Sequence, residues 1–236
     1  LAAEPGIPAL RLSDMRFRWP GRSGFSLDVR NFEVAAGEKL FLHGASGSGK
    51  STLLSVICGI AEPETGEVEV NGQNIFRLSA SKRDQFRADN IGVIFQMFNL
   101  LPFASGLDNI LVPLAFSPIR RGRLQDPKTE ALRLTADLGL DHDLVINARA
   151  SELSIGQQQR IAAARDLIGA PDILIADEPT SALDEDAQSD FINLLMWHAK
   201  TANATLIMVS HDKRLARHFD RSLGLHDILA TRVASP

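Results

Sequence analysis

The sequence predicts an α/β fold built on a mostly parallel sheet, with a helical subdomain inserted into it. Three observations carry this reading. Short, largely apolar runs at residues 39–43, 91–95, 173–176 and 206–209 have the composition of strands buried on both faces. Segments with helical periodicity alternate with those runs, an order that covers both faces of a parallel sheet with helices. Between residue 96 and about residue 151 the alternation gives way to proline-broken, amphipathic segments.

Taken in order, Phe25, Leu27 and Val29 alternate with polar residues, as a half-buried strand requires. Lys39–His43 is a short strand that stops at Gly44, and a Gly/Ser-rich loop separates it from an apolar helical stretch at residues 53–60. Pro63 and Gly66 mark a turn, and Val68, Glu69 and Val70 followed by Asn71-Gly72 predict a hairpin. Residues 79–88 form a polar helix, and 91–95 a buried strand. Within the insert, residues 128–140 carry the clearest helical pattern. A helix over 156–168 places Ile161, Ala164, Leu167 and Ile168 on one face. The strand at 173–176 ends at two acids. The helix at 186–200 presents Ala187, Phe191, Leu194 and Leu195, and the strand at 206–209 follows it.

The 236 residues include 44% hydrophobic and 23% charged side chains, ordinary values for a globular chain with a sizeable core. A formal charge of −4 provides no basic surface of the kind that nucleic-acid binding uses, so no nucleic-acid partner is expected. Cys58 is the single cysteine, which excludes an internal disulfide and a multi-cysteine metal site. No basic segment leads into an apolar core near the N-terminus, so no secretory signal is expected. No run of about 18 apolar residues is present. A cytoplasmic protein is the expectation, with any membrane supplied by a partner.

Two motifs carry chemistry. Gly44-Ala45-Ser46-Gly47-Ser48-Gly49-Lys50-Ser51-Thr52 matches the P-loop pattern of glycine, four residues, then Gly-Lys-Ser/Thr. Glycines let successive N–H groups turn inward around phosphate oxygens, and the following helix adds its unpaired donors and positive dipole end. Lys50 has the length to reach the β- and γ-phosphates, and the Ser51 hydroxyl suits Mg²⁺. Further on, Ile173-Leu174-Ile175-Ala176-Asp177-Glu178 places an acid at the end of a buried strand, where Asp177 can hold the metal ion. Glu178 beside it can act as general base toward water.

A third set of residues resembles the ABC ATPase family, over essentially the whole chain and in the family's order. Leu153-Ser154-Ile155-Gly156-Gln157 is similar to the family signature, Gln96 to its Q-loop glutamine, and Ser181-Ala182-Leu183-Asp184 to its D-loop. His211 resembles the switch histidine, and Trp19 stands where the family has an aromatic that stacks on adenine. The five other histidines, His43, His142, His198, His218 and His226, are read as structural. Isoleucine at position 155 departs from the usual glycine, while Ser154 and Gly156 are retained.

The resemblance implies one nucleotide-binding domain over residues 1–236, with an N-terminal antiparallel β subdomain and a helical subdomain at roughly 97–155. It implies ATP and Mg²⁺ as cofactors and ATP hydrolysis as the activity. Lys50 and His211 would hold the γ-phosphate, Ser51, Gln96 and Asp177 the metal, and Glu178 the attacking water. Ser154, Gly156 and Gln157 would face the nucleotide of the second copy in a head-to-tail homodimer. The run at 91–102, with Asp108-Asn109-Ile110 and Val112-Pro113-Leu114, looks like the ATPases of lipoprotein-release and macrolide-export systems. In those, a groove behind the Q-loop receives a membrane permease, and exposed Phe98, Leu100, Leu101 and Phe103 would suit it. That implies a peripheral place on the cytoplasmic face of the inner membrane. A methionine-importer ATPase and a soluble cluster-assembly ATPase are the alternatives.

Overall fold

The computed structural model describes residues 6–21, 25–181, 183 and 185–229. Ala182 and Asp184 of the D-loop pattern, with residues 1–5 at the N-terminus, lie outside them. The chain opens with strands β1 (Leu10–Phe17), β2 (Leu27–Val34) and β3 (Lys39–His43), then helix α1 (Lys50–Ile57) and strands β4 (Thr65–Val70) and β5 (Gln73–Asn74). Helix α2 (Ala80–Asn90) leads to β6 (Ile91–Ile94). Four helices follow: α3 (Gly106–Phe116), α4 (Pro118–Gly122), α5 (Pro127–Asp137) and α6 (His142–Asn147). Helix α7 (Ile155–Leu167), β7 (Ile173–Asp177), α8 (Glu185–Thr201), β8 (Thr205–Ser210), β9 (Arg221–Gly224) and α9 (Leu225–Ile228) complete the order.

The chain divides into two compact units, one of residues 1–84 with 209–236 and one of residues 85–208. In the first, an antiparallel sheet has the order β2-β1-β4-β5. Its register sets Leu10 opposite Val34 and Val70, and Leu12 opposite Phe32 and Val68, so one face is continuously apolar. All six are buried. Asn71 and Gly72 both have positive φ (50° and 75°), the geometry of the tight hairpin turn expected there. β3 runs parallel to β9, pairing Leu42 with Leu223. In the second unit β6 is parallel to β7, pairing Ile91 with Ile173 and Ile94 with Ala176, and β8 lies next to β7 in the strand order. Parallel strands bury both faces, which is why the residues of β7 read as uninterrupted apolar sequence up to Asp177.

Local chemistry sets the helix boundaries. Ser105 caps α3 by accepting from the Asp108 N–H at 3.0 Å. Asp126 caps α5 through the N–H groups of Lys128 and Thr129, both at 3.2 Å, with Pro127 in the first turn where its missing donor costs nothing.

Several elements differ from expectation. The apolar run at 53–60 falls on a helix displaced toward the N-terminus: α1 already includes Lys50 and Ser51, and it stops before Gly59, whose φ is 68°. Ile60 is left exposed beyond that stop. β1 was not anticipated as a separate strand because its alternation breaks at Asp14, which has φ 46° where the pairing with β4 shifts register between Ser13 and Arg16. β9, at four residues, is too short for a periodicity to show.

A buried guanidinium ties the second unit together. Arg120, only 2% exposed, donates through Nε to the Ile168 carbonyl at 2.9 Å and through Nη2 to the Asp166 and Ile168 carbonyls at 3.0 and 2.5 Å. These carbonyls lie at the C-terminus of α7, where the last carbonyls lack helical partners and a cation is favoured. Burial lowers the pKa of Arg120 to about 10, against the attraction of Asp166, so it stays charged at neutral pH. Ser117 joins the assembly by accepting from the Arg120 N–H at 3.0 Å and donating to Asp89 at 2.6 Å. Arg120→Ala strands those carbonyls in the interior and is expected to lower unfolding stability by about 3 kcal/mol in a urea titration. A loss below about 1 kcal/mol would show that the carbonyls find other partners.

Candidate functional site

The first unit holds the glycine-rich loop. β3 delivers the chain to Gly44, and the loop re-enters regular structure at α1. Gly49 is the N-cap of α1 with φ 106°, and Gly47 has φ 75°. A Cβ on Gly49 would lie 2.6 Å from Cζ of Phe25, so both the backbone angle and the space require glycine. The Lys50 ammonium folds back over the loop, donating to the Gly44 and Ala45 carbonyls at 2.8 and 3.1 Å. The Ser48 N–H donates to the Ala45 carbonyl at 3.2 Å. Ala45, Ser46, Gly47 and Ser51 are exposed along the same segment. His43, the last residue of β3, has its pKa lowered by burial and then by Lys213, which keeps it neutral beside the loop.

Trp19 belongs to the same unit. Its indole N–H donates to the Thr52 hydroxyl at 3.2 Å, which connects the aromatic to the first turn of α1. It packs edge-on against Phe17 at 5.0 Å between centroids and keeps 37% of its surface exposed. A cleft of about 640 Å³ opens beside it, lined by residues that include Phe17, Trp19, Pro20, Ala61 and Glu64. His211 follows β8 and is exposed. Its neighbours fix the backbone on both sides. Ser210 accepts from the Asp212 N–H at 3.1 Å, and Asp212 caps the next turn through the Arg214 N–H at 3.0 Å. The Arg214 bonds hold the Asp212 carboxyl below the usual range.

The second unit holds the remaining candidates. Ser154 caps α7 in a reciprocal capping box: its Oγ accepts from the Gln157 N–H at 3.3 Å, and Gln157 Oε1 accepts from the Ser154 N–H at 2.8 Å. Gly156 occupies the first turn, and Ile155 is 55% exposed there. Asp177 closes β7 and is half-buried. Glu178 follows it with φ 47°, a conformation that non-glycine residues adopt rarely and mostly where neighbours impose it. Gln96 is exposed in the turn after β6. Met97 and Phe103, 81% and 74% exposed, lie in the following segment with exposed Leu101. Phe98 and Leu100 are half-buried, so only Leu101 and Phe103 of the four apolar residues expected on the surface are exposed.

Three supporting residues carry no motif that sequence reasoning could single out. Gln159, fully buried on α7, donates to the Pro179 carbonyl immediately after Glu178. Gln188 on α8 donates to the Thr180 and Leu183 carbonyls at 3.2 and 3.0 Å. Arg165 on α7 donates to the Asn99 carbonyl at 2.9 Å, three residues past Gln96. The one available signal was a polar residue at a core position of a helix, which has to find an internal partner.

Comparison with known proteins places these features in context. The ABC transporter family model matches residues 27–181. A lipoprotein-releasing system ATP-binding protein LolD from Geobacter metallireducens is 38% identical over 197 residues, covering 84% of this chain and 85% of that protein. A putative hemin import ATP-binding protein HrtA from Staphylococcus haemolyticus is 37% identical over 197 residues, 84% of this chain and 86% of the relative. Among solved structures, a dimeric ATP-binding cassette MJ0796 in a post-hydrolysis state bound to ADP and Pi superposes with TM-score 0.81 at 30% identity, covering 94% of this chain and 97% of that one. A second dimeric structure of MJ0796, a bacterial ABC transporter cassette, gives TM-score 0.78 at 30% identity over 92% of this chain and 94% of that one. No helix among the described residues is long and apolar enough to cross a membrane.

The loop geometry makes Gly49 the position least able to change. Gly49→Ala adds left-handed strain and a collision with Phe25, and is expected to weaken ATP binding by at least about tenfold in a calorimetric titration. Wild-type affinity in a normally folded variant would show that the loop does not need this conformation to bind.

Proposed function

The chain belongs to the ABC transporter family as an ATP-hydrolysing cassette, and on that premise we propose that two copies close around ATP to drive a separate membrane permease. The observation that carries this is the presence of two differently built helix starts suited to anions. One is the glycine-rich loop ahead of α1, and the other is the capped tip of α7 at Ser154. A single nucleotide bound to one copy has use for only the first. The second is free to face the γ-phosphate of a nucleotide on the other copy, so ATP joins the pair and hydrolysis releases it.

In this reading the N–H groups of residues 44–52 cradle the phosphates. Lys50 exchanges its contacts with the Gly44 and Ala45 carbonyls for β- and γ-phosphate oxygens. Trp19 offers an exposed ring face to adenine. Ser154, Gly156 and Gln157 address the γ-phosphate of the opposite copy. Glu178 takes the proton from a water as its oxygen attacks the γ-phosphorus, the bond to the β–γ bridging oxygen breaks, and ADP and phosphate leave. His211 holds the γ-phosphate. Ser51, Gln96 and Asp177 contribute a hydroxyl, an amide carbonyl and one carboxylate. This all-oxygen set suits Mg²⁺, which takes few protein ligands and completes its shell with phosphate and water. When bound, the ion neutralises charge on the phosphate oxygens.

The domain organisation that goes with this function is one nucleotide-binding domain over residues 1–236, with a helical subdomain at roughly 97–155. The permease partner places the protein at the cytoplasmic face of the inner membrane. The relatives named as lipoprotein-releasing ATPases favour a permease of the release or export kind, docking on the exposed apolar segment around Met97, Leu101 and Phe103. The relative named for hemin import supports a second reading, a permease that handles a tetrapyrrole.

Glu178→Gln keeps shape and hydrogen bonding but removes the base. It is expected to bind ATP with near-normal affinity, lower turnover by at least about a hundredfold and accumulate as an ATP-bound dimer on gel filtration. Undiminished turnover would remove Glu178 from the base role. A variant that stays monomeric with ATP would remove the closure model.

A further inference from the structure

The turn that carries Gln96 is held in an unfavourable backbone conformation. Phe98 and Asn99 follow one another at φ 55° and 50°, a region that L side chains rarely occupy even singly. The turn closes on itself through the Phe98 N–H to the Phe95 carbonyl at 3.0 Å and the Asn99 N–H to the Met97 carbonyl at 2.6 Å. Such a turn persists only when its surroundings over-determine it.

One buried side chain bonds the turn directly, and a second fixes the segment just beyond it. Arg165 on α7, 8% exposed, directs Nη1 to the Asn99 carbonyl at 2.9 Å, while its Nη2 pairs with Asp166 Oδ2 at 3.0 Å. The second anchor lies ten residues past Asn99: Asn109, 1% exposed, accepts from the Leu101 N–H at 2.7 Å and donates to the Leu101 and Ser105 carbonyls at 3.1 and 2.9 Å. The stretch bearing exposed Met97 and Phe103 is therefore fixed from inside at two points.

We propose that Arg165 is a positioning residue that clamps the glutamine turn to α7, the helix whose first turn carries Ser154 and Gly156. The planar guanidinium serves a carbonyl and a carboxylate at once in fixed directions, which a lysine ammonium cannot reproduce. Arg165 lies about three helical turns from Ser154, so a displacement of the tip of α7 is carried along a rigid element to the backbone that sets Gln96. The consequence for hydrolysis rests on the proposed role of Gln96. The clamp itself is a property of the backbone and is measured separately.

The test is hydrogen exchange at the amides of residues 97–100 in the full chain, paired with hydrolysis rates at varied Mg²⁺ concentration. Arg165→Lys is expected to speed exchange at this turn by about tenfold while β7 keeps its protection. It is also expected to raise the Mg²⁺ concentration for half-maximal hydrolysis by about threefold or more. Adding Asn99→Gly, which accepts a left-handed backbone without strain, should return both toward wild type. A residue that merely filled space would lower protection throughout the unit and would gain nothing from that glycine. If Arg165→Lys does not fold, Asn99→Val loads the turn from an exposed position without touching the buried ion pair, and the same local rise in exchange is expected. Unchanged exchange at the turn in the folded variants overturns the clamp. Gln96→Ala separates the two levels. If Gln96→Ala leaves the Mg²⁺ dependence unchanged while Arg165→Lys frees the turn, the metal role of Gln96 fails and the clamp stands. If Gln96→Ala shifts it while neither clamp variant does, Arg165 does not position Gln96.

Discussion

Much of the candidate chemistry in this protein is placed at corners where the backbone leaves a strand, and three of those corners need conformations the chain does not adopt unaided. Gly47 and Gly49 turn the loop after β3, Phe98 and Asn99 turn the segment after β6, and Glu178 turns the chain after β7. Each has positive φ. At glycine this is free of steric cost, but at phenylalanine, asparagine and glutamate it costs on the order of 1 kcal/mol or more per residue and must be offset by surrounding contacts. The apolar strands are the anchors. β7 is buried over Ile173–Ala176 and β3 over Leu40–Leu42, so the corners begin from fixed points.

The two units meet this demand in different ways. In the first, the loop is shaped by absence: glycines remove the Cβ atoms, Phe25 closes off the space beside Gly49, and Lys50 folds onto the carbonyls it surrounds. In the second, the corners carry full side chains, and buried or half-buried polar groups beneath them do the shaping. Gln159 reaches the Pro179 carbonyl, Gln188 the Thr180 and Leu183 carbonyls, and Arg165 the Asn99 carbonyl. Both Gln159 and Arg165 stand on α7, so one helix supports the corners behind Gln96 and Glu178 while offering its own N-terminus at Ser154. Buried polar bonds are worth more as specification than as net stability, because a single lost partner leaves a desolvated group behind.

This difference explains what the sequence disclosed. The glycine-rich loop was legible in full because its shape depends on residue type: Gly, Lys and Ser at fixed spacing leave little choice of conformation. The strands at 39–43 and 173–176 were equally plain, since burial on both faces writes itself as unbroken apolar sequence. α1 was set three residues late because the helical face of Leu53, Val56 and Ile57 marks the buried part and is silent about the first turn, where Lys50 and Ser51 serve the loop. β1 was lost to a single bulge at Asp14 that interrupts a period of two. The reach of Arg165 to Asn99 spans 66 residues and depends on tertiary packing, so no local pattern could announce it.

The same distinction bears on Ile155. An isoleucine in place of glycine would matter greatly if the signature worked like the loop before α1, through positive φ and missing side chains. It does not. Its geometry comes from the Ser154–Gln157 capping box, which uses one hydroxyl, one amide and two backbone N–H groups, and Ile155 keeps its side chain 55% exposed outside that exchange. A helix N-terminus presents its free donors along the axis, and a side chain at the first position projects to the flank. The bulk of Ile155 therefore bears on whatever surface approaches the flank of α7, and the Ser154 hydroxyl hydrogen and the Gly156 N–H take no part in the capping exchange.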